Sequence, residues 1–154
     1  MGIEIERKFL VKDESWLSLS IKGVPIRQGY LSNSHESVVR VRVAGEKGFI
    51  TVKGKNCNVS RVEFEYEIPL QDAVEMLALC LTPLVEKVRY ILDFMGFEWS
   101  IDRFEGSNQG LVVAEIELET EAQPFEKPPW AGEEVTDDPR YFNSNLIDHP
   151  FENW

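Results

Sequence analysis

Ser60-Arg61-Val62-Glu63-Phe64-Glu65-Tyr66-Glu67-Ile68 alternates charged and bulky apolar side chains without a break. Side chains two apart share one face of a strand, so this segment presents Arg61, Glu63, Glu65 and Glu67 on one side and Val62, Phe64, Tyr66 and Ile68 on the other. The same period recurs outward in both directions. Residues 2–11 set Glu4, Glu6 and Lys8 against Ile3, Ile5 and Phe9; residues 37–44 set Arg40 and Arg42 against Val39, Val41 and Val43. Residues 110–119 set Glu115, Glu117 and Glu119 against Ala114, Ile116 and Leu118. Further strands are predicted over 24–31, 47–54 (with Lys53), 84–93 (with Lys87 and Arg89) and 97–104 (with Asp102). Gly-containing connections at 45–48, 95–96 and 106–110 favour antiparallel hairpins. Eight such strands imply a mainly β (α+β) fold whose sheet closes on itself, since closure removes exposed edges. Helices are few. Asp13 caps a short predicted helix over 14–20 with Trp16 and Leu19 on one face; 71–81 reads as an amphipathic helix stopped before Pro83, and a third short helix follows Asn143. Residues 124–129 read as an irregular connector.

Which way the charged faces point decides what the molecule can do. A solvent face normally mixes signs, because neighbouring like charges repel. Here nearly every strand carries two charges at i, i+2 spacing, mostly of one sign. The alternative to a solvent face is a barrel turned inside out, with charged residues lining the interior. Eight strands leave room for one small ligand. A dry interior of unpaired ions is prohibitively costly, so the space must be wet or hold a ligand of matching charge. Clustered carboxylates suit a hard divalent cation such as Mg²⁺ or Mn²⁺, and clustered Arg and Lys suit phosphate. Together they suit phosphoryl transfer.

The bulk properties remove several classes. The chain has 154 residues, the size of one domain, here taken as 1–154. Its formal charge of −11 argues against a nucleic-acid polymer or an anionic membrane as partner. Cys57 and Cys80 form no Cys-x-x-Cys pair, His35 and His149 no zinc spacing, and no nucleotide-binding loop or nucleophile elbow is present. Charges from the fourth residue and the lack of a long apolar run predict a cytoplasmic protein.

The order of motifs resembles the CYTH domain, or triphosphate tunnel metalloenzyme superfamily. Glu4-Ile5-Glu6-Arg7-Lys8 matches its Glu-x-Glu-x-Lys motif. The match continues through Gln28-Gly29-Tyr30-Leu31, Val39-Arg40-Val41-Arg42, Thr51-Val52-Lys53-Gly54, Ser60-Arg61 with Glu63 and Glu65, and Glu86-Lys87-Val88-Arg89-Tyr90. Ile101-Asp102, Val113-Ala114-Glu115-Ile116-Glu117, Glu134-Val135-Thr136 and Arg140-Tyr141 with Asn143 complete it. The resemblance implies an eight-stranded antiparallel tunnel acting on triphosphates with a divalent metal, Mg²⁺ or Mn²⁺. By position, Glu4, Glu6, Glu63, Asp102, Glu115 and Glu117 would serve the metal. Lys8, Arg40, Arg42, Lys53, Arg61, Lys87 and Arg89 would cradle the phosphates, and Lys8, Tyr30 and Glu65 are the candidate catalytic groups. Gln28 shares the inward parity of Tyr30, and Glu65 either pairs an arginine or assists a metal. The family commonly has Glu where this chain has Ser100, and a basic residue where it has Pro139. The small bacterial inorganic triphosphatases are the most similar branch, which implies hydrolysis of tripolyphosphate. A class IV adenylate cyclase, a thiamine or nucleoside triphosphatase and a non-catalytic polyphosphate-binding protein are the alternatives, and monomer and homodimer both stay open. Seven of the acids and seven of the bases fall on these inward positions, so the −11 belongs to the exterior.

Overall fold

The computed structural model describes residues 2–19, 22–57 and 59–154. Among them, nine strands form one antiparallel sheet: β1 (Gly2–Val11), β2 (Val24–Asn33), β3 (Ser37–Ala44), β4 (Lys47–Gly54), β5 (Ser60–Ile68), β6 (Val85–Phe94), β7 (Phe97–Phe104), β8 (Val112–Glu117) and β9 (Ala131–Glu134). The α-helix α1 spans Leu70–Leu77, and the remaining helical pieces are short 3-10 turns. The spatial order is β5-β4-β3-β2-β6-β7-β8-β1, and β1 pairs back to β5, closing an eight-stranded barrel. β1 makes the closure with a divided edge. Its first half pairs with β5 (Glu4 opposite Arg61), its second half with β9, and its other edge with β8 (Glu6 opposite Glu117, Lys8 opposite Glu115). β9 is a ninth strand that the sequence did not announce, since Ala-Gly-Glu-Glu carries no alternation.

The hairpins follow the turn chemistry. Met95 and Gly96 both have positive φ (54° and 82°), the signature of a tight turn whose twist matches the strands it joins. α1 docks on β4 at Gly48, where a Cβ would lie 2.5 Å from the Ala73 methyl, so only glycine lets the helix approach. It is shorter than the predicted 71–81, because the Leu81 amide leaves the helical ladder to donate to the Tyr30 carbonyl. The predicted helix over 14–20 is a 3-10 turn, Ser15–Ser18; Ser20 lies outside the described residues. Asp13 accepts from the Ser15 amide as a cap does, and Trp16 is buried, but Leu19 is exposed. The short helix expected after Asn143 is the 3-10 turn Asn143–Leu146.

The barrel is apolar outside, as its parity requires. Phe9, Leu92, Trp99, Ile101, Ala114 and Ile116 point outward and are covered by Trp16, Phe125 and Trp130. Val41 and its neighbours pack beneath α1. The interior is not charged along its whole length. At one end the inward residues Leu10, Tyr30, Val38, Val85, Phe104 and Val113 form a second core with Val135, Tyr141, Leu146 and Ile147. The C-terminal segment thus seals one end of the barrel and gives the cavity a floor.

Candidate active site

A cavity of about 520 Å³ occupies the rest of the interior. Among the residues anticipated from the sequence, Glu4, Glu6, Lys8, Tyr30, Arg40, Arg42, Lys53, Arg61, Glu63, Glu65, Lys87, Arg89, Glu115 and Glu117 line it. The strand order sorts them. β8, β1 and β5 are neighbours and bring Glu115, Glu117, Glu4, Glu6, Glu63 and Glu65 onto one wall. β3, β2 and β6 lie opposite and bring Arg40, Arg42, Lys87 and Arg89. Lys8 and Arg61 stand among the acids on the same strands, and Lys53 reaches them from β4.

The acidic wall is electrostatically crowded. Carboxylate oxygens of Glu4, Glu6 and Glu117 lie within 4.8 Å of one another. Burial raises the Glu6 carboxyl well above its ordinary range, and the charges of Glu115 and Glu4 and a hydrogen bond with Glu115 add to it. Glu117 is raised by burial and by Glu4, Glu63 and Glu115. Burial would raise Glu4 too, but Lys53 at 2.9 Å overcomes it and holds the carboxyl down. Lys53 also meets Glu63 at 3.2 Å. Burial likewise opposes ionisation of Glu115, yet Lys8 and the Glu6 hydrogen bond bring it to about 2. Three crowded carboxylates, one of them pushed against ionisation, fit a hard divalent cation: all donors are oxygen, and the ion's charge would offset their repulsion.

The basic wall is crowded in the opposite sense. Arg42 is driven down to about 9 by burial and by Arg40 and Arg89. It remains charged at neutral pH and, among the described residues, forms no ion pair with a carboxylate; its Nε and Nη2 donate to Gln28 Oε1. Arg40 meets Glu65 at 3.4 Å, and Thr51 donates to the same carboxylate oxygen. Arg61 donates to the Gly54 carbonyl, and Lys8 Nζ donates to the Tyr141 carbonyl at 3.0 Å, with Glu115 at 3.9 Å. A polyanion would relieve the repulsion. Lys87 is lowered to about 7, by burial first and by Arg89 and Arg42 next, against the pull of Asp102.

Asp102 stands apart from the other anticipated metal residues. It is 1% exposed and off the cavity wall. Its carboxylate lies 2.7 Å from Lys87 Nζ and accepts two hydrogen bonds from Arg89, at 2.7 and 2.8 Å. Burial alone would raise it, but these two cations hold it well below the usual carboxylate range. Other lining residues escaped the sequence reading. Glu98 shares the inward parity of Ser100 and Asp102, a signal that was there to use. Asn56, Phe142 and Ser144 come from irregular segments, where no periodicity gives a direction, and Thr136 and Asn143 stand in the matched motifs without an assigned role.

The comparisons with known proteins agree with this geometry. The CYTH domain family matches residues 2–146. An inorganic triphosphatase of Acetivibrio thermocellus is 52% identical over 155 residues, covering 100% of this chain and 99% of its own. One from Nitrosomonas europaea is 39% identical over 149 residues, covering 93% and 95%. The solved structure of the inorganic triphosphatase NE1496 superposes with a TM-score of 0.68 at 36% identity, covering 96% of this chain and 95% of its own. With matched motifs on matched strands around one charged cavity, this chain belongs to the CYTH domain family.

Proposed function

We propose that this protein hydrolyses inorganic tripolyphosphate to pyrophosphate and phosphate with a divalent cation, Mg²⁺ or Mn²⁺. The observation that carries this reading is the acidic wall facing a basic wall across one closed-ended cavity. A cation and a phosphate chain need those two surfaces opposed. The full-length likeness to two inorganic triphosphatases points the same way.

Glu4, Glu6 and Glu117 would hold the cation, with Glu63 and Glu115 beside them. The bound ion supplies charge neutralisation and a more acidic water. Arg40, Arg42, Lys53, Arg61, Arg89 and Lys8 hold the phosphate oxygens and keep the chain in line. Tyr30 donates its hydroxyl hydrogen to a phosphate oxygen, and Glu65 orients Arg40. A water oxygen bonds to the terminal phosphorus, the bridging P–O bond breaks, and its electron pair leaves with pyrophosphate. Lys87 lines the cavity, and burial beside Arg89 and Arg42 pushes it down to about 7, so it takes the proton that water releases. Asp102 fixes Lys87 and Arg89 rather than reaching the cation. We take residues 1–154 as one domain, working in the cytoplasm, where the free thiols of Cys57 and Cys80 stay reduced. Among the described residues no helix is long and apolar enough to cross a membrane.

The test offers purified protein tripolyphosphate, ATP and thiamine triphosphate in turn, with Mg²⁺ or Mn²⁺, and identifies the products. Phosphate release that prefers tripolyphosphate is expected. Cyclic AMP from ATP would make it a cyclase, and metal-independent binding without turnover would make it a sensor.

A further inference from the structure

The cavity floor carries a run of hydrogen bonds that neither cation binding nor phosphate binding requires. Arg42 donates Nε and Nη2 to Gln28 Oε1 at 2.9 and 2.8 Å. Gln28 Nε2 donates to the Tyr30 hydroxyl oxygen at 3.1 Å and to Asn143 Oδ1 at 3.2 Å. Lys87 Nζ donates to the same Asn143 Oδ1 at 2.8 Å. The directions are forced by charge. Arginine and a protonated lysine only donate, so each amide turns its oxygen to its cation. Gln28 is then left with its nitrogen for Asn143, and both lone pairs of Asn143 Oδ1 are engaged.

We propose that Gln28 and Asn143 form a positioning pair that sets the directions in which Arg42, Tyr30 and Lys87 present their remaining bonding positions to the substrate. This rests on the triphosphatase reading above. The Lys87 nitrogen is tetrahedral. Asn143 and Asp102, the latter at 2.7 Å, take two of its positions, so the third faces the cavity that Lys87 lines. The Tyr30 oxygen accepts from Gln28, which leaves its own hydrogen to donate. Arg42 keeps its Nη1 edge free of Gln28. Gln28 is 0% exposed and belongs to β2, so its amide has nowhere to turn. Asn143 is presented by the C-terminal segment, pinned by fully buried Leu146 and by the Asn33 side chain, which donates to the Ser144 carbonyl at 3.0 Å. The chain's last segment therefore reaches Lys87 and Gln28 through one amide oxygen, beside the Tyr141 carbonyl that holds Lys8.

Three variants test this in steady-state kinetics on tripolyphosphate, each with a thermal melt. N143L deletes the acceptor; kcat should fall about 10²-fold, the usual cost of a misplaced group near the chemistry. N143D keeps the oxygen that Lys87 and Gln28 need but sets a second carboxylate against Lys87, which holds the Lys87 proton more tightly; kcat should fall at neutral pH and recover as pH rises, its pH profile displaced upward relative to the wild type. Q28E keeps an oxygen for Arg42 but loses the N–H donors, so its kcat should fall with that of N143L. A merely structural role would track the melts and would leave the N143D pH profile where the wild type's lies. An undisplaced N143D profile overturns the proposal, as does N143L with unaltered kcat. If N143L fails to fold, the N143D profile decides. If the wild type turns over no triphosphate, the function above fails, and crystal structures decide the pair separately: Lys87 Nζ displaced in N143L supports it, and Lys87 unmoved overturns it.

Discussion

Glu6 sits where a carboxylate is least comfortable in the metal-free protein. Its folded-state pKa is raised by burial and by Glu115 and Glu4. An acid raised above its unfolded value of about 4.3 binds more protons folded than unfolded. Stability therefore falls as pH rises from that value through the raised one. At pH 7 the metal-free fold carries this cost, and a cation that binds Glu6 competes with its proton. Glu6→Gln should accordingly stabilise the metal-free protein at pH 7 by on the order of 1 kcal/mol. It should gain little near pH 4.5 and cut metal-dependent turnover at least ~10²-fold. Melts at both pH values, with and without Mg²⁺, read the first two; a variant that is less stable at pH 7 sinks the argument. Wild-type cation affinity should rise with pH over the same range. Lys87→Arg is the companion experiment. Arginine keeps the charge and cannot give up its proton, so saturating tripolyphosphate should still bind while kcat collapses. Retained kcat would remove Lys87 as proton acceptor. At this scale the inward carboxylates and bases were legible from parity alone. The pairing of Asp102 with Lys87 and Arg89 was not, because it depends on the register of β6 against β7, where Arg89 lies opposite Asp102.

A strand makes a sharper claim than any of its residues, because it assigns opposite fates to its two faces. β3 points Arg40 and Arg42 into the cavity, whereas Val52 of β4, opposite Val39, looks outward and is 37% exposed. Arg42→Ala should raise KM for tripolyphosphate by more than tenfold, the loss of one charge-assisted contact worth about 1.5–3 kcal/mol. Val52→Thr should leave both constants alone and change stability by no more than about 1 kcal/mol. Unaltered kinetics in Arg42→Ala would mean that the charged face of β3 does no binding. Elements with a strong period were readable for this reason: burial on one face leaves a mark every second residue. β9 left none, since four residues on a divided edge need only backbone pairing. The floor was also hidden. Leu10, Val85, Phe104 and Val113 share parity with Lys8, Lys87, Asp102 and Glu115, so the apolar end of the interior reads as ordinary variation within a mixed face. Only the docking of Tyr141, Leu146 and Ile147 reveals it as a core.

At the scale of the whole molecule, the cavity and the exterior present different charges to an approaching anion. The inward acids and bases nearly cancel, so the net −11 lies on the surface and at the ends of strands. A tripolyphosphate ion far from the protein sees that surface. One that has reached the mouth sees the bases inside the cavity together with whatever cation the acidic wall holds. Salt separates the two ranges. At 0.01 M ionic strength the Debye length is about 30 Å, longer than the molecule's radius, and the exterior repels; at 0.15 M it is about 8 Å, and only the mouth is felt. Oppositely charged partners lose association rate as salt rises. Here the expected sign is reversed: kcat/KM for tripolyphosphate, at fixed saturating Mg²⁺, should rise as NaCl is added from about 0.01 to 0.15 M. Above that range it should fall, as screening reaches the cradle itself. A monotonic fall from the lowest salt would mean that the open end focuses a positive field through the acidic shell, and that the surface charge plays no part in admitting substrate.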